Sequence, residues 1–160
     1  MPFSLPANFN PGDSYTNVHA NNVAAAINTI VNGLRSAFVS TSEAYATAAW
    51  GDCATTTDQV TVTIGQSGVA LVFISASISL NATGGAGYMS IAASGANTIA
   101  AGNAPNMFYQ APGASYGGQS GNMAPLQGLS PGSTTFKLKY YVQGGSANFS
   151  ARAITVVPFP

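Results

Sequence analysis

The chain has 160 residues, enough for one domain with a real core and a short appendage. Four Lys or Arg and four Asp or Glu leave 5% of residues charged and a net charge of zero, against roughly a quarter charged in an ordinary soluble domain. Four scattered basic residues make no phosphate-tracking stripe, and 46% hydrophobic residues argue against disorder. A neutral chain with a Ser, Thr, Asn, Gln and Gly surface is prone to associate with like copies instead.

Residues 1 to 16 place Phe3, Leu5 and Phe9 among Pro2, Pro6 and Pro11, which forbid a regular helix. The spacing predicts an extended docking arm laid along a neighbour. The first twenty residues lack a basic segment followed by an apolar one, so no secretory signal is expected. A helix is predicted from Thr16 or Asn17 to Val39. Within it Ala20, Val23, Ile27, Ile30, Leu34 and Ala37 follow a 3-4 heptad spacing. That seam fits either a helix packed on its own domain or a short collar shared by three chains. Residues 1–39 thus read as a docking arm and helix, and residues 40–160 as a β-domain.

From Ser40 onward short strands alternate with turn residues. Candidates are Glu43–Trp50, Val60–Ile64, Val69–Leu80, Tyr88–Ser94, Thr98–Ala101, Met107–Ala111 and Ala124–Leu129. Val69–Leu80 is the longest and is predicted to be central. It is also the longest apolar run, too short and too serine-rich to insert in a membrane. Turn signals every 8 to 12 residues or so indicate an antiparallel β-sandwich, jelly-roll-like. Residues 112 to 122 form a Gly/Ser-rich stretch, read as a ligand loop through Tyr116 and Gln119.

The last thirty residues or so carry two strand patterns about Gly144-Gly145, a pair that tolerates a tight hairpin turn. In the first, Phe136, Leu138, Tyr140 and Val142 share one face while Lys137, Lys139 and Tyr141 share the other. A hairpin register would set Lys137 opposite Arg152. Beyond Ala153 the residues Ile154, Val156, Val157 and Phe159 leave no polar face, which predicts a trimer interface.

Catalytic chemistry finds little to work with. His19 and Cys53 are the only residues of their kinds, so neither a disulfide nor a closed zinc site can form within one chain. Residues 113–117 spell the G-x-S-x-G letters, but without the strand-to-helix context or a later histidine. Asp13, Glu43, Asp52 and Asp58 are scattered, and the sequons at Asn81 and Asn148 mean little without a secretory route. Neither an enzyme nor a cofactor or metal site is expected. Loops with Trp50, Tyr88, Tyr109 and Tyr116 suit adaptable contacts to a sugar or protein.

Two stretches resemble proteins of tailed bacteriophages. Gly128, Leu129, Gly132 and Thr135, then Phe136, Leu138 and Tyr140, Gly144-Gly145, and finally Arg152, Ile154, Val156 and Pro158 look like the end of a domain found in minor tail and fibre-like proteins. Val69–Ser79 and Tyr88-Met89-Ser90 resemble that domain's inner strands. Pro11-Gly12-Asp13, followed by Asn22 and a helix, is similar to the docking segment opening many fibre subunits. The resemblance implies a trimerising, jelly-roll-like domain carried on an anchor to the virion, assembled in the host cytoplasm. A fibre or minor tail protein with host-surface adhesion fits best. Without an extended shaft, a capsid decoration (cement) protein is the alternative, and a glycan-binding module comes third.

Overall fold

The computed structural model describes residues 17–102, 104, 106–110 and 116–160. These residues form an antiparallel β-sandwich of the jelly-roll type, with one helix among them. The helix α1 (Asn17–Gly33) is followed by β1 (Arg35–Val39), β2 (Glu43–Tyr45), β3 (Gln59–Ile64), β4 (Ala70–Leu80), β5 (Ala86–Gly95), β6 (Met107–Gln110), β7 (Gly117–Leu126), β8 (Gly132–Gln143) and β9 (Ala147–Pro158). One sheet has the order β1-β9-β4-β7, with β2 also on β9; the other has the order β3-β8-β5-β6.

Strict alternation builds the core. From β4, Val72, Ile74, Ala76, Ile78 and Leu80 point inward, and from β8, Phe136, Leu138, Tyr140 and Val142 do the same. Met89 and Ile91 of β5 and Val60, Val62 and Ile64 of β3 complete the layer between the sheets. β4 is central as expected, flanked by β9 and β7.

Several expectations are corrected. The helix ends at Gly33, not Val39: Leu34 closes the last helical bond onto Ile30, and residues 35–39 join β9 as a strand. Ala37 and Val39 turn inward there while Ser36 and Phe38 turn outward, a period of two that the heptad count concealed. The sandwich therefore begins before residue 40.

Gly144-Gly145 is not a hairpin turn. β8 pairs with β3 and β5 in one sheet, and β9 pairs with β1, β2 and β4 in the other. The two glycines, at φ 76° and 75°, carry the chain across the sandwich. A Cβ on Gly145 would lie 2.7 Å from Asn81 Oδ1, which accepts the Ser146 amide.

Lys137 and Arg152 consequently never face each other. Lys137 lies outside the sandwich, while Arg152 is completely buried. A register shift against Ser75/Ser77, with Ala151 at φ 47°, inserts a bulge in β9. Before it Ala147 and Phe149 point inward; after it Arg152, Ile154 and Val156 do.

Finally, residues 117–122 of the Gly/Ser-rich stretch are strand. β7 runs from Gly117 and is paired with β4 from Ser79 to Ala70, and Pro125 is tolerated because β7 lies at the sheet edge. Of the predicted strand at Thr98–Ala101, only a bridge between Ala93 and Ile99 forms.

Candidate interaction surfaces

The sandwich presents two outer faces of opposite character. On the β1-β9-β4-β7 sheet, the parity that buries Ala37, Ile154 and Val72 sends Phe38, Thr155 and Phe73 outward. Register places Phe38 opposite Ala153, Thr155 opposite Phe73, Phe73 opposite Met123, and Leu71 between Val157 and Pro125. Phe38 is 66% exposed, Met123 52% and Phe73 40%. The hydroxyls of Ser36 and Thr155 satisfy each other at 2.8 Å, so the polar groups amid this patch ask little of water. Among the described residues none of the side chains facing out of these four strands here is charged. A contiguous apolar face of this kind is uncommon on a lone soluble chain.

The helix carries an exposed apolar stripe of its own. Val23, Ala26, Ile30 and Gly33 form its half-buried stripe, and Gly33 lies against Pro158. Ile27, Val31 and Leu34 are exposed on another stripe. The heptad seam is therefore divided: Val23 and Ile30 face the protein's own bulk, while Ile27 and Leu34 face out. Phe3, Leu5 and Phe9 lie outside the described residues.

Of the residues predicted for a trimer interface, Ile154 and Val156 are fully buried in the core of a single chain and cannot meet a partner. The bulge at Ala151 is the cause, because it sets their parity. Val157 lies on the apolar outer face, and Phe159 donates its amide to Val69 and lines a cleft of about 540 Å³ between helix and β3. The residues that sequence reasoning missed are Phe38, Phe73 and Met123. Phe73 carried a signal, as the one large aromatic on the serine side of β4.

The face of the β3-β8-β5-β6 sheet is different. Residues 50–52 run antiparallel to β8 through paired bonds between Gly51 and Tyr140. Trp50 thereby falls beside Tyr141, which pairs with Tyr88, which pairs with Phe108. Ring centroids along this row are 5.5, 5.4 and 4.8 Å apart. One step along β8, Lys139 donates to Asp52 at 2.8 Å, and Lys137 meets its other oxygen at 3.0 Å. Burial pushes the Asp52 carboxyl up, but the two ammonium groups outweigh it and hold the group below its ordinary range.

Between the sheets sits a buried ionic cluster. Arg152 lies 2.7 Å from Glu43 and 3.6 Å from Asp58, with its guanidinium carbon 5.3 Å from the Tyr140 ring centre. The guanidinium meets these carboxylates at ion-pair distance without hydrogen-bond alignment. Tyr140 donates its hydroxyl to Asp58, and Thr55 donates both amide and hydroxyl to Glu43. Burial is the largest influence on Asp58 and leaves it above the ordinary carboxylate range. At Glu43 the Thr55 bonds and Arg152 overcome burial, and the group stays low. Burial pushes the Cys53 thiol up to about 12, so it carries no thiolate nucleophile at neutral pH. The cluster ties the 43–58 segment to β8 and β9.

Tyr116 is exposed just before β7, where its carbonyl accepts the Leu80 amide. Gln119 is not on a loop but on β7, opposite Ser77 and facing solvent. Residues 111–115, with most of the G-x-S-x-G letters, lie outside the described residues.

No protein-family model matches the chain, and no curated protein matches it significantly. Among solved structures, the Eiger TNF from S. frugiperda aligns with a TM-score of 0.51 and 14% identity, covering 80% of this chain and 94% of that one. The enzymatically active domain of bacteriophage CBA120 tailspike protein 4 aligns with a TM-score of 0.35 and 8% identity, over 78% of this chain and 19% of that one. The first likeness supports the jelly-roll fold; the second adds nothing to it.

Proposed function

We propose that this chain is a non-enzymatic structural protein of a tailed-bacteriophage virion, a fibre or minor tail protein that assembles as a homotrimer. Its N-terminal arm and helix dock it, and its sandwich is displayed outward for attachment to the host surface. The observation that carries the self-association is the uncharged face built from Phe38, Phe73 and Met123; the helix exposes a further apolar stripe of Ile27, Val31 and Leu34. Burying a Phe, Met or Leu side chain contributes about 1.5–3 kcal/mol, so a few such contacts per chain outweigh much of the cost of association. The resemblance of Gly128–Phe159 to tail and fibre-like domains supplies the virion context, and the jelly-roll fold agrees with it.

A non-enzymatic role is supported by how the polar groups are used. Glu43, Asp58 and Tyr140 are consumed in the Arg152 cluster, and Cys53 is a buried thiol. One feature favours the capsid decoration reading: a single helix of 17 residues leads to the sandwich with only Leu34 between them. Particles assembled with a chain lacking residues 1 to 16 test the docking role. They are expected to carry none of the truncated chain, although it still folds by circular dichroism. Incorporation at the normal level overturns the proposal, and labelling at capsid rather than tail decides between the two locations.

A further inference from the structure

The row Trp50–Tyr141–Tyr88–Phe108 crosses four neighbouring chain segments, with every ring opposite the next in register. At a strand spacing of about 4.8 Å it spans about 14 Å, comparable to a short oligosaccharide. Packing within a sheet accounts for part of such a row, since cross-strand aromatic pairs stabilise a sheet by about 0.2–1 kcal/mol each. It does not account for Phe108, which stands 46% exposed on the edge strand β6. Nor does it account for the company the row keeps.

Among the described residues, Arg152, Glu43 and Asp58 are drawn into the interior, and Arg35 folds onto the carbonyls of Asn32 and Leu34 at the helix end. Apart from the exposed Arg35, the charged side chains on the outside among the described residues are Lys137, Lys139 and Asp52, and these three converge beside the aromatic row. Two ammonium groups share one carboxylate, so the cluster carries an excess positive charge. Each ammonium has three donors and gives one to Asp52, which leaves the others free and holds both nitrogens in place. Trp50 is fixed in turn: its Nε1 would lie 2.8 Å from a Cβ on Gly102, so only glycine lets the ring settle there.

Successive rings are tilted by 44°, 78° and 36° to one another, so the row offers alternating ring faces and edges rather than one flat platform. Such aromatic surface packs on the C–H faces of sugars, and the phenol hydroxyls and two ammonium groups nearby supply hydrogen bonds. The excess positive charge selects an anionic group. We propose that this face binds an acidic oligosaccharide, with its rings on the Trp50–Phe108 row and its carboxylate or other anionic group on the donors of Lys137 and Lys139 that point away from Asp52. The inference rests on the reading of the sandwich as the displayed part of the protein, and places adhesion on the sheet opposite the self-associating face.

The test measures binding of the full chain to polygalacturonate, hyaluronan and polysialic acid at low salt, with dextran as the neutral control. At least one acidic polymer is expected to bind and dextran is not. Lys137→Gln combined with Lys139→Gln should weaken binding at least tenfold and flatten its salt dependence. Phe108→Ser should weaken it severalfold while keeping the salt dependence, and Phe108→Tyr should retain it. The site is overturned if no acidic polymer binds, if dextran binds equally, or if the variants bind like the parent. Sedimentation of the same samples separates the two claims. A trimer that binds nothing removes this site alone, whereas a monomer that binds removes the assembly reading and leaves the site standing.

Discussion

Replacing Arg152 by leucine removes the one cation from the buried cluster and leaves the buried Asp58 and mostly buried Glu43 carboxylates without it. Glu43 and Asp58 lie 2.7 and 3.6 Å from the guanidinium, and Asp58 is 1% exposed. Breaking a buried pair by deleting one partner costs about 3–5 kcal/mol, because the remaining charge is stranded. In a chain of this size that shifts Tm down by about 10–15 °C. Chemical denaturation at pH 7 and pH 5 measures it. The deficit should shrink at pH 5, because stranded carboxylates escape their penalty by taking up protons. Adding Asp58→Asn to Arg152→Leu should recover part of the loss at pH 7, since one stranded charge is then gone. A loss below about 1 kcal/mol, equal at both pH values, would refute the reasoning and mean that the pair contributes no more than an exposed one.

The cluster and the adjoining bulge give two further expected outcomes. In the parent protein, Glu43 is held low, so its contribution is present above the ordinary carboxylate range and lost as pH falls through its lowered value. Asp58 is held high, so its contribution is present below that range and lost as pH rises through its raised value. Stability measured by denaturant midpoint should therefore peak in weak acid, and a plateau extending unchanged from neutrality into strong acid would contradict both assignments. At the bulge, Ala151 holds φ 47°, a conformation costing a non-glycine residue about 1–2 kcal/mol. Ala151→Gly should stabilise by about 0.5 kcal/mol after the added entropy of the unfolded chain, and Ala151→Val should destabilise by more than about 1 kcal/mol. Equal urea midpoints for the two variants would count against strain at this site.

The sandwich was legible where alternation is strict. In β4 and β8, inward and outward residues could be assigned from period two alone, and Phe136, Leu138, Tyr140 and Val142 are indeed core. Legibility failed where one local pattern serves two structures. Leu34 and Ala37 extend a heptad as well as they begin a strand, and the pairing of residues 35–39 with β9 decides for the strand. Gly144-Gly145 announces positive φ but not whether the flanking strands pair or part; their partners β3, β5, β1 and β4 lie far off in sequence. Ile154 and Val156 were misplaced because a bulge without glycine leaves no mark in the sequence. The Arg152 cluster was invisible for another reason: its members come from β2, the segment before β3, β8 and β9. The aromatic row was half visible, since Tyr88 and Trp50 stood out but their alignment depends on register.

In the proposed assembly the face bearing Phe38, Phe73 and Met123 is covered by copies of the same chain. Sedimentation equilibrium of the parent beside a Phe38→Ser, Phe73→Ser, Met123→Ser variant measures it most directly. The expected parent mass is about three times 16.1 kDa, with the folded variant sedimenting as one chain. A parent that stays a single chain across the concentration range, or a variant that still trimerises, would contradict it.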